Sequence, residues 1–439
     1  MKLKLAWRHL RIFAAFLFIT AFISAFYYGG PLAAILPHLQ FGPAVLSLFA
    51  SFSTGALCTM LGILLSALLF GRFYCAFFCP FGILQDLIAL LSHRKSRMQS
   101  SYSAIRYAVC GIVFGLLAFG CAGGFFLLDP YSNSGRILSS FSIGSAIPLL
   151  AIIILSVWRK RIYCTTICPV GTVLGLASRF SLFRMMVKGK CVRCGKCVSV
   201  CPSGCIDIEK GIIDNERCVR CMNCVSVCPL HSIRLSLPEK KEITMDLSRR
   251  RFLVNGGILI AGFAAGAVLM KSGILHIREF AKKFRILPPG AGNAERFAAR
   301  CTGCQLCTAN CPEKIIVPAP NGTGPVSLDL SKGHCGFDCS RCSEVCPTGA
   351  IRHLDLETKR RTKIAEVKFQ PRNCIVFQEG TKCGKCAKAC PTGAVKLRRT
   401  GAPRVNVSLC IGCGACQYAC PAKEKAMTVQ PVETQELLR

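Results

Sequence analysis

Cysteine is the residue whose number and spacing carry chemistry in this 439-residue chain, which contains 32 of them. Cys191, Cys194, Cys197 and Cys201 precede Pro202 in the spacing C-x2-C-x2-C-x3-C-P, and Cys218, Cys221, Cys224 and Cys228 repeat it before Pro229. A close triad at this spacing wraps three corners of an iron–sulfur cubane, while the fourth cysteine, a helical turn further on, reaches the neighbouring cluster. The pattern predicts one [4Fe–4S] centre on Cys191, Cys194, Cys197 and Cys228 and a second on Cys218, Cys221, Cys224 and Cys201. Structural zinc fits less well, because zinc sites seldom use eight cysteines in paired sets with a proline after each fourth one.

Four more groups follow. Cys301, Cys304, Cys307 and Cys311 keep the standard spacing, as do Cys410, Cys413, Cys416 and Cys420. Cys335, Cys339, Cys342 and Cys346 open with three intervening residues, and Cys374, Cys383, Cys386 and Cys390 open with eight, so their first ligands come from longer loops. Sixteen thiolates in four groups predict four further clusters, six in all. Adjacent groups can exchange fourth cysteines in sequence, or the outer two can pair around the inner two; sequential pairing is favoured.

A third class of cysteine stands beside apolar runs. Arg72-Phe73-Tyr74-Cys75-Ala76-Phe77-Phe78-Cys79-Pro80-Phe81-Gly82 matches Arg161-Ile162-Tyr163-Cys164-Thr165-Thr166-Ile167-Cys168-Pro169-Val170-Gly171 at an offset of 89 positions, an internal repeat. Cys75, Cys79, Cys164 and Cys168 can meet around a shared metal or cluster, with Arg72 and Arg161 offsetting its negative charge. The alternatives are reactive thiol pairs, or a structural turn ended by the proline. Cys58, Cys110, Cys121 and Cys205 have no ligand spacing and read as small apolar residues. No C-x-x-C-H haem attachment is present, and His9, His38, His93, His231, His276, His334 and His353 avoid the middles of the apolar runs. No glycine-rich nucleotide fingerprint follows a strand and no flavin-attachment motif is seen, so haem, flavin and NAD have no visible site.

The elements that must hold these groups follow from hydropathy. Hydrophobic residues make up 52% of the chain, yet the long apolar runs are confined to the first 160 residues and one later segment, which excludes a wholly soluble protein. Runs at 10–28, 50–71, 104–126 and 142–158 predict four transmembrane helices. Lys2, Lys4, Arg8 and Arg11 precede the first. Arg94, Lys95, Arg97 and Arg106 lie between the second and third, and Arg159, Lys160 and Arg161 follow the fourth. The positive-inside rule places those ends in the cytoplasm and the loops 29–49 and 127–141 outside. Ser248-Arg249-Arg250-Arg251-Phe252-Leu253 then opens an apolar stretch of 252–270, which reads as an internal twin-arginine export signal or as an ordinary fifth helix. Both readings put the following residues outside. For a quinol pocket the chain offers Asp129, Tyr131 and His38 on the outer side, or Asp86 and His93 on the inner side, and none is singled out as catalytic. The formal charge of +33 invites a nucleic-acid reading, but six oxidised four-thiolate clusters would each carry roughly −2, so about twelve of those charges are cofactor compensation. No nucleic-acid partner is expected.

With these motifs in place, residues 1–240 resemble the NapH-type membrane ferredoxins, which have four helices, two cytoplasmic-side C-x3-C-P motifs and a two-cluster tail. Residues 245–439 look like the NapG-type and MauM-type exported ferredoxins through the twin-arginine stretch, Leu287-Pro288-Pro289-Gly290-Ala291 and the four cysteine groups. The chain reads as a natural fusion of the two. The expected architecture is mixed: a four-helix membrane domain over 1–185, a cytoplasmic two-cluster ferredoxin over 186–238, a signal and fifth transmembrane helix over 239–271, and an exported four-cluster ferredoxin over 272–439. Its ferredoxin modules are expected to be α+β (βαβ)2 units. The resemblance implies an electron-transfer component of a quinol dehydrogenase in a bacterial inner membrane. It would relay electrons from menaquinol through cytoplasmic residues 186–248 and periplasmic residues 272–439 to a periplasmic reductase or redox partner. A redox-sensing or maturation protein for an exported metalloenzyme is the alternative.

Overall fold

A computed structural model describes residues 2–51, 53–92, 96–98, 102–139, 143–189, 191–237, 245–272, 285–319 and 324–438. Arg94, Lys95, His93, His276 and the 239–244 approach to the export signal lie outside the described residues. The chain forms two compact units, one of residues 1–25 with 38–275 and one of residues 26–37 with 276–439.

The first unit is built from helices around the C-x3-C-P repeat. They are α1 (Lys2–Tyr27), which begins this unit, then α2 (Phe41–Ser51), α3 (Thr54–Phe70), α4 (Tyr74–Phe77) and α5 (Pro80–Leu91). After these come α6 (Ser103–Ala118), α7 (Ala122–Leu128), α8 (Pro130–Ser139), α9 (Ile143–Arg159) and α10 (Pro169–Arg179). Among the described residues, two helical stretches are long and apolar enough to cross a membrane, Arg8–Tyr27 and Phe252–Lys271, while Pro31–Leu39 and Phe41–Phe49 would qualify together but meet at 79°. The expected spans at 50–71, 104–126 and 142–158 are shorter helices. The 17 residues of α3 reach about 25 Å at 1.5 Å per residue, against a hydrocarbon core of about 30 Å. The 104–126 run breaks because Gly120 adopts φ 84°, and Gly120 N bonds Leu117 O at 3.0 Å while Cys121 N bonds Leu116 O at 2.9 Å, a Schellman stop. The expected outer loops are largely helical. Asp129 caps α8 by accepting from Ser132 N and Oγ, both at 2.8 Å, with Pro130 as the first helical residue.

The helix α11 (Met245–Lys271) runs unbroken through the arginine pair and packs along α6. Gly262 and Gly266 face Ala108 O and Ile112 O so closely that an added Cβ would lie 2.6 and 2.5 Å from them, and Gly111 and Gly115 meet Leu259 O and Phe263 O in the same way. Two small-x3-small stripes thus interdigitate backbone to backbone, the geometry that lets helices associate without a hydrophobic driving force.

The same unit carries a ferredoxin module: β1 (Arg184–Val187), α12 (Lys196–Val200), β2 (Ile206–Asp207), β3 (Ile212–Ile213), α13 (Asn223–Val227) and β4 (Ile233–Ser236). Strand β1 pairs antiparallel with β4 and β2 with β3, a two-fold (βαβ)2 arrangement. It is bolted to the helices by Leu182 N to Leu68 O at 2.7 Å and Phe183 N to Leu69 O at 3.0 Å, and by Arg220 Nε to Phe70 O at 3.0 Å.

The second unit holds two more modules. The first comprises α14 (Ala294–Arg300), α15 (Leu306–Ala309), β5 (Ile316–Val317) paired with β6 (Ser327–Leu328), and α16 (Arg341–Glu344). After α17 (Leu356–Arg361), the second comprises β7 (Thr362–Phe369), α18 (Ile375–Gln378), α19 (Lys385–Lys388), β8 (Val395–Leu397), β9 (Pro403–Val405), α20 (Ala415–Tyr418) and β10 (Met427–Leu437). Its outer β7–β10 and inner β8–β9 pairings repeat the pattern of the first unit's module.

Candidate iron–sulfur centres

Tight backbone loops present the cysteines. In the four groups with standard spacing, the residues on both sides of the second cysteine are left-handed. Arg193, Arg220, Gly303 and Gly412 lie at φ 51°, 55°, 61° and 72° before it; Gly195, Met222, Gln305 and Gly414 lie at 73°, 62°, 60° and 83° after it. Such turns aim successive amides into one concavity, the nest that binds an anionic centre. Four nonglycine residues adopt this unfavourable conformation, which requires a local compensation of the kind an anionic cluster supplies.

The cavities sort the cysteines. Cys191, Cys194, Cys197 and Cys228 rim one open cavity, and Cys201, Cys218, Cys221 and Cys224 rim another. Cys301, Cys304 and Cys307 share a cavity with Cys346, and Cys374, Cys383 and Cys386 share one with Cys420. Cys311 lies beside Cys335 and Cys342, and Cys390 beside Cys410, Cys413 and Cys416. Among the described residues, no three His, Cys, Asp or Glu side chains converge closely enough for a single metal ion. A cubane keeps its thiolates apart by the iron–sulfide core between them, so open, cysteine-rimmed cavities suit it better than they suit zinc. Burial pushes the bare thiols of Cys301 and Cys416 up to about 12, so these pockets favour thiolates only when iron supplies the opposing charge.

Sequence reasoning missed one thiol. Cys205 is buried with its Sγ 3.5 Å from Cys201 Sγ, lines the same cavity as Cys218, and by hydrogen bonding holds the Cys218 thiol down to about 6. The signal was available: after Cys346-Pro347 and Cys390-Pro391 the same place is filled by Ala350 and Ala394.

The C-x3-C-P repeat comes together. Cys75, Cys79, Cys164 and Cys168 are buried in one cluster that also contains Cys221 of the ferredoxin module. The two motifs are interlocked by crossed hydrogen bonds: Arg72 Nη2 donates to Cys164 O at 2.7 Å, and Arg161 Nη1 donates to Cys75 O at 2.9 Å. Both arginines are wholly buried. Gly82 and Gly171 make room for them, since a Cβ on Gly171 would lie 2.6 Å from Arg72 Nη2 and one on Gly82 would strike Cys75 O. Every sulfur receives a donor: Arg72 Nη2 to Cys75 at 3.9 Å, the Gly82 amide to Cys79, Gln85 Nε2 to Cys164 at 3.2 Å, and the Gly171 amide to Cys168 at 3.3 Å. The second motif winds its Tyr163–Ile167 turn as a π-helix, whereas the first uses an α turn.

Charge completes the fit. Arg11, Arg72, Arg106 and Arg161 are buried around these thiols, and their carboxylate partners are Asp86 and Glu216. Among the described residues these guanidiniums outnumber the carboxylates they bond, an excess of positive charge in a poorly solvated place that is costly unless an anion accompanies it. Four thiolates on an oxidised cubane carry roughly −2. Of the quinol candidates, Asp86 is tied to Arg161 and Arg11, Asp129 caps α8, Tyr131 packs edge-on against Phe22 and His38 is exposed, while His93 lies outside the described residues.

Comparison with known proteins agrees with these sites. Residues 52–99 and 141–188, each holding one C-x3-C-P motif, match a family described as 4Fe-4S binding domain. Residues 190–232, 334–394 and 380–424 match a 4Fe-4S dicluster domain, and 300–351 match a second family of that description. The methylamine utilization ferredoxin-type protein MauN of Paracoccus denitrificans is 31% identical over 137 residues, covering 30% of this chain and 48% of MauN. The putative electron transport protein YccM of Escherichia coli K12 is 28% identical over 169 residues, covering 35% and 47% respectively. The chain thus spans about half the length of these two relatives. The ferredoxin-type protein NapG of Escherichia coli K12 is 31% identical over 204 residues, 42% of this chain and 86% of NapG. No solved structure matches. With ferredoxin-type domains along both units and most of NapG covered, the chain belongs to the ferredoxin-type 4Fe–4S electron-transfer proteins related to the Nap and Mau ferredoxins.

Proposed function

We propose that this chain is a membrane-bound relay that takes electrons from a quinol, menaquinol being the expected donor, and delivers them across the inner membrane to a redox protein or reductase on its outer face. The observation that carries this reading is the interlocked four-thiol site, which shares one buried cluster with Cys221 and whose Arg161 lies near both Cys164 and Cys221. An electron arriving at the helical core is then already beside the first ferredoxin module.

The residues assigned to six centres are Cys191, Cys194, Cys197 with Cys228; Cys218, Cys221, Cys224 with Cys201; Cys301, Cys304, Cys307 with Cys346; Cys335, Cys339, Cys342 with Cys311; Cys374, Cys383, Cys386 with Cys420; and Cys410, Cys413, Cys416 with Cys390. Shared cavities and neighbouring sulfurs support this sequential exchange. A seventh is assigned to Cys75, Cys79, Cys164 and Cys168. When bound, a [4Fe–4S] cluster supplies one-electron chemistry. The polypeptide holds the thiolates, buries them and donates hydrogen bonds to sulfur. In the second unit, Cys335 N donates to Cys413 O at 2.8 Å, which keeps its two modules adjacent for onward transfer.

The membrane reading assigns α1, α3, α6, α9 and α11 as the spanning helices, with the short ones sheltered by their neighbours and the 31–49 segment re-entrant. Residues 26–37 group with 276–439, which supports placing that outer segment and the second polyferredoxin on the same side.

The test is anaerobic iron analysis and EPR of the full-length protein in membranes. About 28 iron atoms per chain are expected for seven cubanes, falling by about four in the variant with serine at 75, 79, 164 and 168. That variant should also lose reduction of the remaining clusters by a menaquinol analogue while dithionite still reduces them. Unchanged quinol reduction would remove the four-thiol site from the path; full cluster load without quinol reduction in the native protein would favour the sensing or maturation role.

A further inference from the structure

The halves of the four-thiol site are related by the repeat but are not electrically equivalent. Arg161 gives Nε and Nη2 to the two oxygens of Asp86, both at 2.7 Å, and Asp86 also accepts from Arg11 at 2.9 Å. Arg72 is just as buried yet meets no carboxylate among the described residues. Its polar contacts are Cys164 O, the backbone carbonyl of Glu216 at 3.4 Å, and Cys75 Sγ. The Glu216 carboxylate is engaged by Arg106 at 3.0 Å and by the Tyr107 hydroxyl at 2.7 Å.

The cause lies in one dipeptide of the repeat. At the 89-residue offset, Gln85-Asp86 of α5 corresponds to Leu174-Gly175 of α10. Gly175 leaves a space that the Arg106 guanidinium fills and that any Cβ would invade, so the second half offers no acid to neutralise Arg72 as Asp86 neutralises Arg161, and no amide to reach Cys75 as Gln85 reaches Cys164. Gln85 serves Cys164 instead, and Arg72 is left as the donor to Cys75.

We propose that this asymmetry makes Arg72 the residue that sets the reduction potential of the four-thiol centre, with Asp86 as the counterweight that neutralises Arg161. Reduction adds one electron and hence one negative charge, with no bond made or broken. An unneutralised guanidinium at a buried sulfur stabilises that added charge, and a carboxylate nearby opposes it. The inference rests on the reading that these four cysteines hold a cluster.

The experiment is an EPR-monitored redox titration of the full-length protein in membranes, with dithionite and mediators. The variant carrying serine at 75, 79, 164 and 168 identifies which signal belongs to the site. Arg72→Gln should lower the reduced-to-oxidised ratio of that signal at least tenfold at fixed potential, a shift of about 59 mV for one electron. Asp86→Asn should shift it the opposite way, Arg72→Lys should restore most of the native value, and the six ferredoxin signals should stay in place. Shifts of the same sign in Arg72→Gln and Asp86→Asn, or none while the signal persists, would overturn the proposal. Should Arg72→Gln fail to assemble, Arg72→Lys and Asp86→Asn still decide it. A four-serine variant that keeps every signal and all its iron would instead remove the cluster reading on which the proposal rests.

Discussion

Gly82 and Gly171 show how much of the site depends on single atoms that are missing. Each lies where the neighbouring motif's arginine crosses to a cysteine carbonyl, and a methyl group there would occupy the space of that carbonyl or guanidinium. Gly82→Ala is therefore expected to destabilise the first unit by about 1–3 kcal/mol, the range for overpacking a filled core, and to remove the four-thiol signal from EPR spectra. Gly62→Ala, with nothing within 4 Å of its added Cβ, is the control and should be silent. An equally stable Gly82→Ala protein with an intact signal would show that the crossed arginines are not needed. The spacing of the cysteines made the cysteine groups and the repeat legible without coordinates, and the two arginines of the repeat, Arg72 and Arg161, are buried. The crossed partners, and the different neutralisation of the two arginines, were not legible. They depend on Asp86 meeting Arg161 and on Arg106 filling the space beside Gly175, whereas the sequence offered Asp86 only as a quinol candidate.

Elements were readable where composition alone decides them and obscure where one backbone angle does. The apolar runs announced the helices, yet the 104–126 run is two helices because Gly120 turns left-handed, and the uncharged 29–49 stretch is largely helix rather than loop. The fifth apolar segment is visible in the sequence as a span, but what its glycines pack against is not. The partner is α6, through Gly111 and Gly115. A helix held this closely serves as a permanent wall of the first unit and not only as an address. Gly262→Leu should then separate α11 from α6, seen as a lower melting temperature of the detergent-solubilised protein and as new protease sensitivity between 238 and 272. Gly256→Leu, on an open stretch of the same helix, should change neither. Equal behaviour of the two variants would reduce α11 to a passive tether.

At the scale of the whole molecule, the second unit recruits residues 26–37 from the start of the chain to complete a body otherwise made of 276–439. On the proposed membrane reading, the segment that leaves α1 and the polyferredoxin that follows α11 share a side of the bilayer, and the basic residues flanking the apolar runs favour the outer one. The second unit buries several of its cysteines in small cores, Cys374 and Cys420 with Ala422 and Ala426 for instance, so under the proposed export its clusters would be built before it crosses, and a folded cargo needs a route that accepts one. On that reading the Arg249-Arg250 pair at the head of α11 is the proposed address. A reporter fused after Arg439 should report an outer location in the native chain. Replacing both arginines by lysine keeps the charge that orients α11 but removes the guanidinium pair that the twin-arginine receptor reads, so the reporter should stay inside with its clusters intact. If the lysine variant still exports the reporter, α11 is an ordinary membrane helix, and the second unit crosses by a path that does not require prior folding.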